Sequence, residues 1–322
     1  MKKFLVIFMI LTFLVSIGVF ATTIRIGVIG KAAEAYWYQV NQGAQAAAKA
    51  LGIKVDFFAP QTENIPMQIS TFQTYVAEGF SGIAIAPSAP GAIVPYIHKA
   101  ISMGIPVVTI DTDSASSDRY IYIGTDNYAA GYIGGKEMVK LLNGKGNVVI
   151  ITGSLVASNS LERIKGFEDA LKGTNVKVLT LLNDKEDVAK AFSLAQSAIV
   201  TYGKKLNAFY GVYYEDGPAE ALALKSAGMK PGQVKVVCFD MGPDTLKYTR
   251  EGYIQASTVQ KPFFMGYLGV VTLYNMAKIS PTYTMMMLPK DHHIDTGITL
   301  VTSKNVNQYL ENMKKLGVPP TY

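Results

Sequence analysis

From Ile24 to Ala277 the chain alternates short, unbroken apolar runs with longer amphipathic segments, and this alternation restricts the fold more than any other feature. An apolar run with no polar side to its pleat is a strand buried on both faces. Such strands belong to parallel sheets covered by crossover helices. The sequence predicts strands at Ile24–Ile29, Ile53–Phe58, Gly82–Ala86, Pro106–Ile110 and Tyr120–Ile123, with helices at Glu34–Leu51, Pro66–Glu78 and Ala92–Met103 between them. Val40, Ala44, Ala47, Ala48 and Leu51 share one face of the first helix, while Gly79 and Gly104 stop the next two. The cycle restarts near Thr125-Asp126. Helices at Tyr128–Leu142, Ser160–Lys172, Val188–Tyr202, Pro218–Ala227, Pro243–Glu251 and Phe263–Ala277 then alternate with strands at Asn147–Thr152, Val176–Leu181, Ala208–Val212, Val234–Phe239 and Ile254–Val259. Each run of units reads as one doubly wound α/β domain. The 322 residues are long for one core and natural for two. Pro281 to Tyr322 does not repeat the cycle and reads as a late return across the domains.

The first 21 residues read as a cleaved secretory signal: Lys2-Lys3, an apolar run from Phe4 to Phe20, and small residues up to Ala21, directly before a strand. The run is slightly short for a membrane anchor. No cysteine follows it to carry a lipid. An exported protein without a lipid anchor suits a bacterial periplasm.

The formal charge is +6, of which Lys2 and Lys3 supply two. The remaining basic residues are scattered, with no basic stripe interleaved with aromatics, so nucleic acid is a poor partner. Cys238 is the one cysteine and sits in the apolar run Val236–Phe239, where a small core residue is expected. There is no phosphate loop, no G-x-G-x-x-G after the first strand, no H-E-x-x-H and no G-x-S-x-G. His98 reads as a surface residue on a helix, and His292-His293 as a solvated loop pair. No matched base and nucleophile stand out, so the chain reads as a binder rather than an enzyme, without cofactor or metal.

In open parallel sheets, ligands bind beyond the carboxyl ends of the strands. Here those segments are polar or aromatic: Lys31 to Trp37, Pro87-Ser88, Asp111-Thr112-Asp113, Gly153 to Asn159, Tyr213 to Asp216, Asp240 and Gln260. Two domains facing each other with such edges would enclose a cleft of carboxylates, amides and rings.

These strand ends carry a resemblance. Ile26-Gly27-Val28-Ile29-Gly30-Lys31, Gly82 to Ser88, Val107 to Ser114, Tyr122 to Tyr128 and Val237-Cys238-Phe239-Asp240, in that order, are similar to the periplasmic sugar-binding proteins of ABC importers. The chain resembles the ribose/galactose group, and especially the glucose/xylose-binding proteins of Thermotogae. The resemblance implies a type I periplasmic binding protein fold of two doubly wound parallel-sheet domains joined by a three-segment hinge. Lobes would comprise residues 22–125 plus about 260–294, and 126–259 plus about 295–322, with crossings near Thr125-Asp126, Ser257 to Gln260 and Asp295. It further implies a monomer that captures a monosaccharide, glucose or xylose first and ribose, galactose or myo-inositol as alternatives. Its partners would be an ABC permease or, in a sensing role, a chemoreceptor or kinase.

By the same resemblance, Tyr36 and Trp37 would sandwich the sugar, Asp111 and Asp240 would bind hydroxyls, and Arg163 would bind hydroxyls or the ring oxygen. Asn159 and Gln260 would face the ligand. The loop Tyr214-Glu215-Asp216 leaves its register open, and Asp216 is favoured for its neighbours Gly217-Pro218-Ala219. Thr112 stands where ribose-binding members have an Arg, and Glu34 precedes the aromatic pair where another polar residue is usual. The chemistry is coherent, because carboxylates accept from hydroxyls strongly and rings cover the apolar sugar face. Structural alternatives exist for each residue. Asp111 and Asp240 could cap the next helix. Arg163 could pair with Glu162 or Asp169 on a solvated face. Trp37 could pack under the first turn, and Gln260 could satisfy a crossing backbone.

Overall fold

The computed structural model describes residues 23–315, 317 and 318, and the signal-like segment lies outside them. The first βα run gives β1 (Arg25–Ile29), α1 (Ala35–Leu51), β2 (Lys54–Phe58), α2 (Ile65–Ala77), β3 (Gly82–Ile85), α3 (Pro90–Ser102), β4 (Val107–Ile110) and β5 (Tyr122–Gly124). The second gives α4 (Asn127–Leu141), β6 (Lys145–Thr152), α5 (Ser158–Leu171), β7 (Asn175–Asn183), α6 (Val188–Tyr202), β8 (Ala208–Gly211), α7 (Asp216–Ser226), β9 (Lys235–Phe239), α8 (Pro243–Glu251) and β10 (Ala256–Val259). Then follow α9 (Pro262–Lys278), α10 (Pro281–Met286), β11 (His293–Asp295), β12 (Thr299–Thr302) and α11 (Val306–Lys315).

Two six-stranded sheets result, in the orders β2-β1-β3-β4-β5-β11 and β7-β6-β8-β9-β10-β12. Every pairing is parallel except β12, which runs antiparallel to β10. Both sheets follow the doubly wound order 2-1-3-4-5. Each is covered on both faces: Val40, Ala44, Met265 and Leu273 pack on one side of the first sheet, Phe72, Val76 and Ile97 on the other. In the second, Ala130 and Phe167 cover one face and Ala195 and Leu224 the other. That explains why the strand sequences lack polar alternation. Cys238 is free and fully buried in this core.

The segment after Pro281 adds one strand to each sheet, so it is structural edge as well as return. β5 begins two residues later than the pattern suggests. α5 begins at Ser158 and so includes Asn159 in its first turn, while α7 begins at Asp216, earlier than Pro218.

The chain passes between the sheets three times, and these crossings are tied together. Thr125 Oγ1 donates to Gln260 Oε1 (3.0 Å), the Asp126 amide donates to Asp295 Oδ1 (3.1 Å), and the Thr296 amide donates to the Gly124 carbonyl (2.8 Å). Asp126 also caps α4 through Ala129 N (2.9 Å). Across them, Ser158 Oγ donates to the Asp113 carbonyl (3.1 Å), holding the two lobes closed at one side of the cleft.

Two helix crossings depend on missing side chains. A Cβ on Gly43 of α1 would strike the Phe263 carbonyl of α9, and one on Gly266 of α9 would strike the Val40 carbonyl of α1. In the second lobe, Gly131 of α4 meets the Arg163 carbonyl and Gly166 of α5 meets the Tyr128 carbonyl. Backbone cannot yield as a flexible side chain can. Gly266→Ala and Gly166→Ala should therefore each lower stability by about 1–3 kcal/mol or more, as overpacked cores do. Denaturant unfolding checks this, and a loss below about 0.5 kcal/mol in both variants would contradict the close crossings.

Candidate functional site

A small cavity lies between the lobes, at the carboxyl ends of both sheets. Its wall includes Tyr36, Trp37, Asp111, Asn159, Arg163, Asp240 and Gln260, together with Lys31, Glu34, Glu186, Tyr213 and Tyr214.

Asp111 follows β4 and Asp240 follows β9, at equivalent places in the two sheets. Both hold left-handed backbone angles, φ 59° and 64°. Asp tolerates that region better than most residues, and a non-glycine residue there costs on the order of 1–3 kcal/mol. The twist turns each carboxylate out of the strand line into the cleft. Neither caps a helix: Gly242 starts α8 without a side-chain cap, and Asp126 caps the helix after β5. Asp111 accepts from Tyr36 Oη (2.7 Å) and Thr112 Oγ1 (2.8 Å), and Lys31 Nζ lies 3.7 Å away. Asp240 accepts from the Gln260 amide nitrogen (3.1 Å) and from its Nε2 (3.0 Å). Gln260 thus joins a crossing segment to a cavity carboxylate.

Arg163 is only 2 % exposed. Its Nε donates to Asn127 Oδ1 (2.9 Å), its Nη1 to the Val212 carbonyl (3.0 Å), and the guanidinium sits 4.3 Å over the Phe239 ring. It does not pair on the surface with Glu162 or Asp169. Asp169 pairs instead with Lys165 and Lys172. Nη2 is buried without a protein partner, a donor left for something in the cavity. Trp37 packs edge-to-face on Tyr36, centroids 5.2 Å apart, and faces both the cavity and the α1 side of the core. Asn159 is buried, its Oδ1 accepting from the Ser160 amide.

Asp216 is the exception. It is fully buried and is not a cavity residue. Its Oδ2 accepts from the Val212 and Tyr213 amides (both 2.8 Å), which folds the β8–α7 loop. The register that favoured Asp216 is corrected by this geometry: the loop presents Tyr213 and Tyr214, and Asp216 braces it from behind.

Glu186 escaped the sequence reading, and Lys31 was seen only as part of a polar segment. Glu186 and its neighbour Lys185 are both left-handed (φ 57° and 64°) in the polar run Asn183–Asp187 after β7, the same strand-end logic that singled out the other loops. Lys31 is 2 % exposed, makes no hydrogen bond, and lies 5.7 Å from the Tyr213 ring centroid.

Burial dominates the electrostatics. It lifts Asp240 to about 6, with the Arg163 charge pulling the other way. It lifts Glu186 to about 8, with Lys31 opposing. Burial also raises Glu34 and raises Glu215 well above the ordinary carboxyl range. Behind the site, burial and then the charge of Asp184 push Asp216 well up, and burial pushes up Glu220, whose two oxygens lack partners. Among the described residues no acidic, His or Cys group is arranged to hold a metal ion. His98 is exposed and meets Asp118, while His293 stacks on Tyr122.

The model of the periplasmic binding protein domain matches residues 26–280. The chain is a member of the periplasmic binding protein family. Within it, the similarity is to the sugar-binding proteins of ABC importers, as the strand-end segments indicate. A solute binding protein of an ABC transporter from Burkholderia graminis, solved in complex with D-arabinose, is 35% identical, with TM-score 0.83 over 89% of this chain and 97% of that one. A glucose-galactose binding protein from Geobacillus stearothermophilus is 29% identical, with TM-score 0.81 over 88% and 99%. A xylose/arabinose-binding protein of Sulfolobus acidocaldarius is 24% identical over 85% of this chain and 70% of its own length. The type I fold of two parallel-sheet domains holds across these structural neighbours.

The buried acids make this binding protein's stability depend on pH. Glu220 holds its proton more tightly folded than unfolded, so its stabilising contribution is complete below the unfolded value near 4.3 and is lost as pH rises through the raised folded value. The thermal midpoint should therefore fall from pH 5 to pH 8. Glu220→Gln, which carries no proton to lose, should flatten that fall and raise the midpoint at pH 8. An unchanged slope in the variant would contradict the assignment.

Proposed function

We propose that the chain captures one neutral monosaccharide in the closed cavity, an aldopyranose with glucose and xylose the first candidates, and presents it outside the cytoplasm to an ABC permease. The observation that carries this reading is the convergence of complementary groups from both lobes. Tyr36, Trp37, Lys31 and Asp111 come from the first; Asn159, Arg163, Glu186 and Asp240 come from the second. A sugar edge offers donors and acceptors in turn, and a sugar face is apolar. Asp111 and Asp240 accept, Lys31 Nζ and Arg163 Nη2 are buried donors awaiting acceptors, and Trp37 supplies a ring. The wall holds four carboxyl groups and two cations, so it offers no surplus of positive charge to an anionic sugar. Relatives and neighbours that carry pentoses and hexoses support the size class. No group here is set up as nucleophile with base, so the reading is capture without turnover. The assignment of Tyr36, Trp37, Asp111, Asn159, Arg163, Asp240 and Gln260 to sugar contact belongs to the same proposal.

A thermal-shift and calorimetry panel tests it. D-glucose or D-xylose at 100 times its dissociation constant should stabilise by about 2.7 kcal/mol, and D-glucuronate should not. Trp37, the one tryptophan, should change its emission on binding. Asp111→Ala and Asp240→Ala should each weaken binding by about 1–3 kcal/mol or more while folding is kept, since each leaves hydroxyls buried without acceptors. If no neutral monosaccharide moves the midpoint, the reading fails.

A further inference from the structure

Tyr122 in β5 and Asn127, the first residue of α4, stand on either side of one crossing between the lobes. Both are buried, and neither lines the cavity. Each is nevertheless hydrogen-bonded to a residue that does. Tyr122 Oη donates to the Asp111 carbonyl (2.7 Å) and accepts from Asn127 Nδ2 (3.1 Å), while Asn127 Oδ1 accepts from Arg163 Nε (2.9 Å). Three bonds in series join a cavity acid of the first lobe to the cavity cation of the second.

We propose that Tyr122 and Asn127 are positioning residues for sugar capture: their relay fixes Asp111 and Arg163 relative to one another in the closed state. The inference rests on Asp111 and Arg163 being sugar contacts.

The local structure is built around the Tyr122 hydroxyl. The side chain folds back over Gly124, where a Cβ would strike the hydroxyl, and His293 stacks on the ring with centroids 4.8 Å apart. Phenylalanine would fill nearly the same space without the cost of a buried hydroxyl. That hydroxyl ends on the main chain of Asp111, which holds a left-handed angle (φ 59°). Such a conformation persists where its surroundings fix it. The Asp111 amide also donates to the Ile123 carbonyl (3.2 Å), so both polar groups of its backbone are tied to β5. The left-handed turn that aims the carboxylate is thereby held from behind.

At the other end, the guanidinium is a rigid planar fork. Asn127 holds its Nε and the Val212 carbonyl holds its Nη1, which also settles where the unpartnered Nη2 lies. Between the two ends, Asn127 Nδ2 donates as well to the Thr125 carbonyl (3.0 Å), within the crossing itself. Tyr122 and Asn127 each donate and accept, so the bonds of the series polarise one another. Cutting it at Tyr122 should loosen a sugar contact in each lobe.

Affinity for D-glucose and D-xylose is measured by calorimetry in Tyr122→Phe, which keeps the ring and removes both hydroxyl bonds. Tyr253→Phe is the control, because the Tyr253 hydroxyl also donates to a main-chain carbonyl, that of Met229 (3.1 Å), but lies outside the cavity wall. Tyr122→Phe should weaken binding by about fivefold to a hundredfold, the range of a lost buried hydrogen bond, and Tyr253→Phe by less than about twofold. The second readout is the Arg163 Nε–H proton resonance, identified by its loss in Arg163→Lys. It should move in Tyr122→Phe and stay in Tyr253→Phe, a pattern that lost stability alone does not produce. Asn127→Ser, whose new residue suits a helix start, is the second variant should Tyr122→Phe fold poorly, and it too should weaken binding. Where both fold, the loss in the double variant should fall short of the product of the single losses, as in one network. Wild-type affinity in Tyr122→Phe, equal losses in Tyr122→Phe and Tyr253→Phe, an unmoved resonance, or losses that multiply would overturn the relay and leave the sugar reading standing. If neither sugar binds the wild type, the sugar reading fails, and the resonance of the sugar-free chain decides the relay. A shift in Tyr122→Phe would then support it, and no shift would overturn it.

Discussion

The cleft is organised by one buried charge, the guanidinium of Arg163. An isolated cation removed from water is unstable, so its surroundings must be fixed before any ligand arrives. Asn127 from the start of α4, the Val212 carbonyl from the end of β8 and the Phe239 ring from the end of β9 supply that cage. The cage in turn needs α4 and α5 in close contact, which is why Gly131 and Gly166 abut backbone carbonyls there. One unsatisfied nitrogen is left over, on a residue that lines the cavity. A packing constraint thus becomes a binding constraint.

The carboxylates opposite are placed by a different device. Asp111 and Asp240 leave their strands in the left-handed region, and each is then held by a side chain from another segment. Asp111 is held by Tyr36 at the start of α1, and Asp240 by Gln260 in a crossing segment that also meets Thr125 in another. Asp240 is thus linked through Gln260 to two of the three crossings, so a rotation there would act on a cavity acid. Hinges of this kind let a small contact change at the ligand select one global arrangement.

The fold was legible because the strands are buried on both faces. Runs such as Val107–Ile110 and Val236–Phe239 have no polar side to confuse the reading, and glycine stops delimit the helices. The edge strands β11 and β12 were not legible: three and four residues long and mostly half-buried, they carry no long apolar run. Strand-end logic located most of the cavity wall. It misplaced Asp216, since sequence alone does not say whether an acid at a helix start turns outward or accepts from its own loop. It passed over Glu186, because β7 is an edge strand with a half-polar pattern that marks its end poorly.

The central claim is that ligand groups from both lobes close on one sugar. Its most direct measurement is the distance across the cleft mouth with and without that sugar. Spin labels on cysteines introduced at Thr62 and Val188, both exposed, report it by pulsed electron resonance, and Cys238 is buried enough to stay unlabelled. The account predicts a longer, broader distance distribution without sugar, and a short, narrow one matching this closed structure when D-glucose or D-xylose is bound. A distribution that is the same in both conditions, while calorimetry shows the sugar bound, would contradict it.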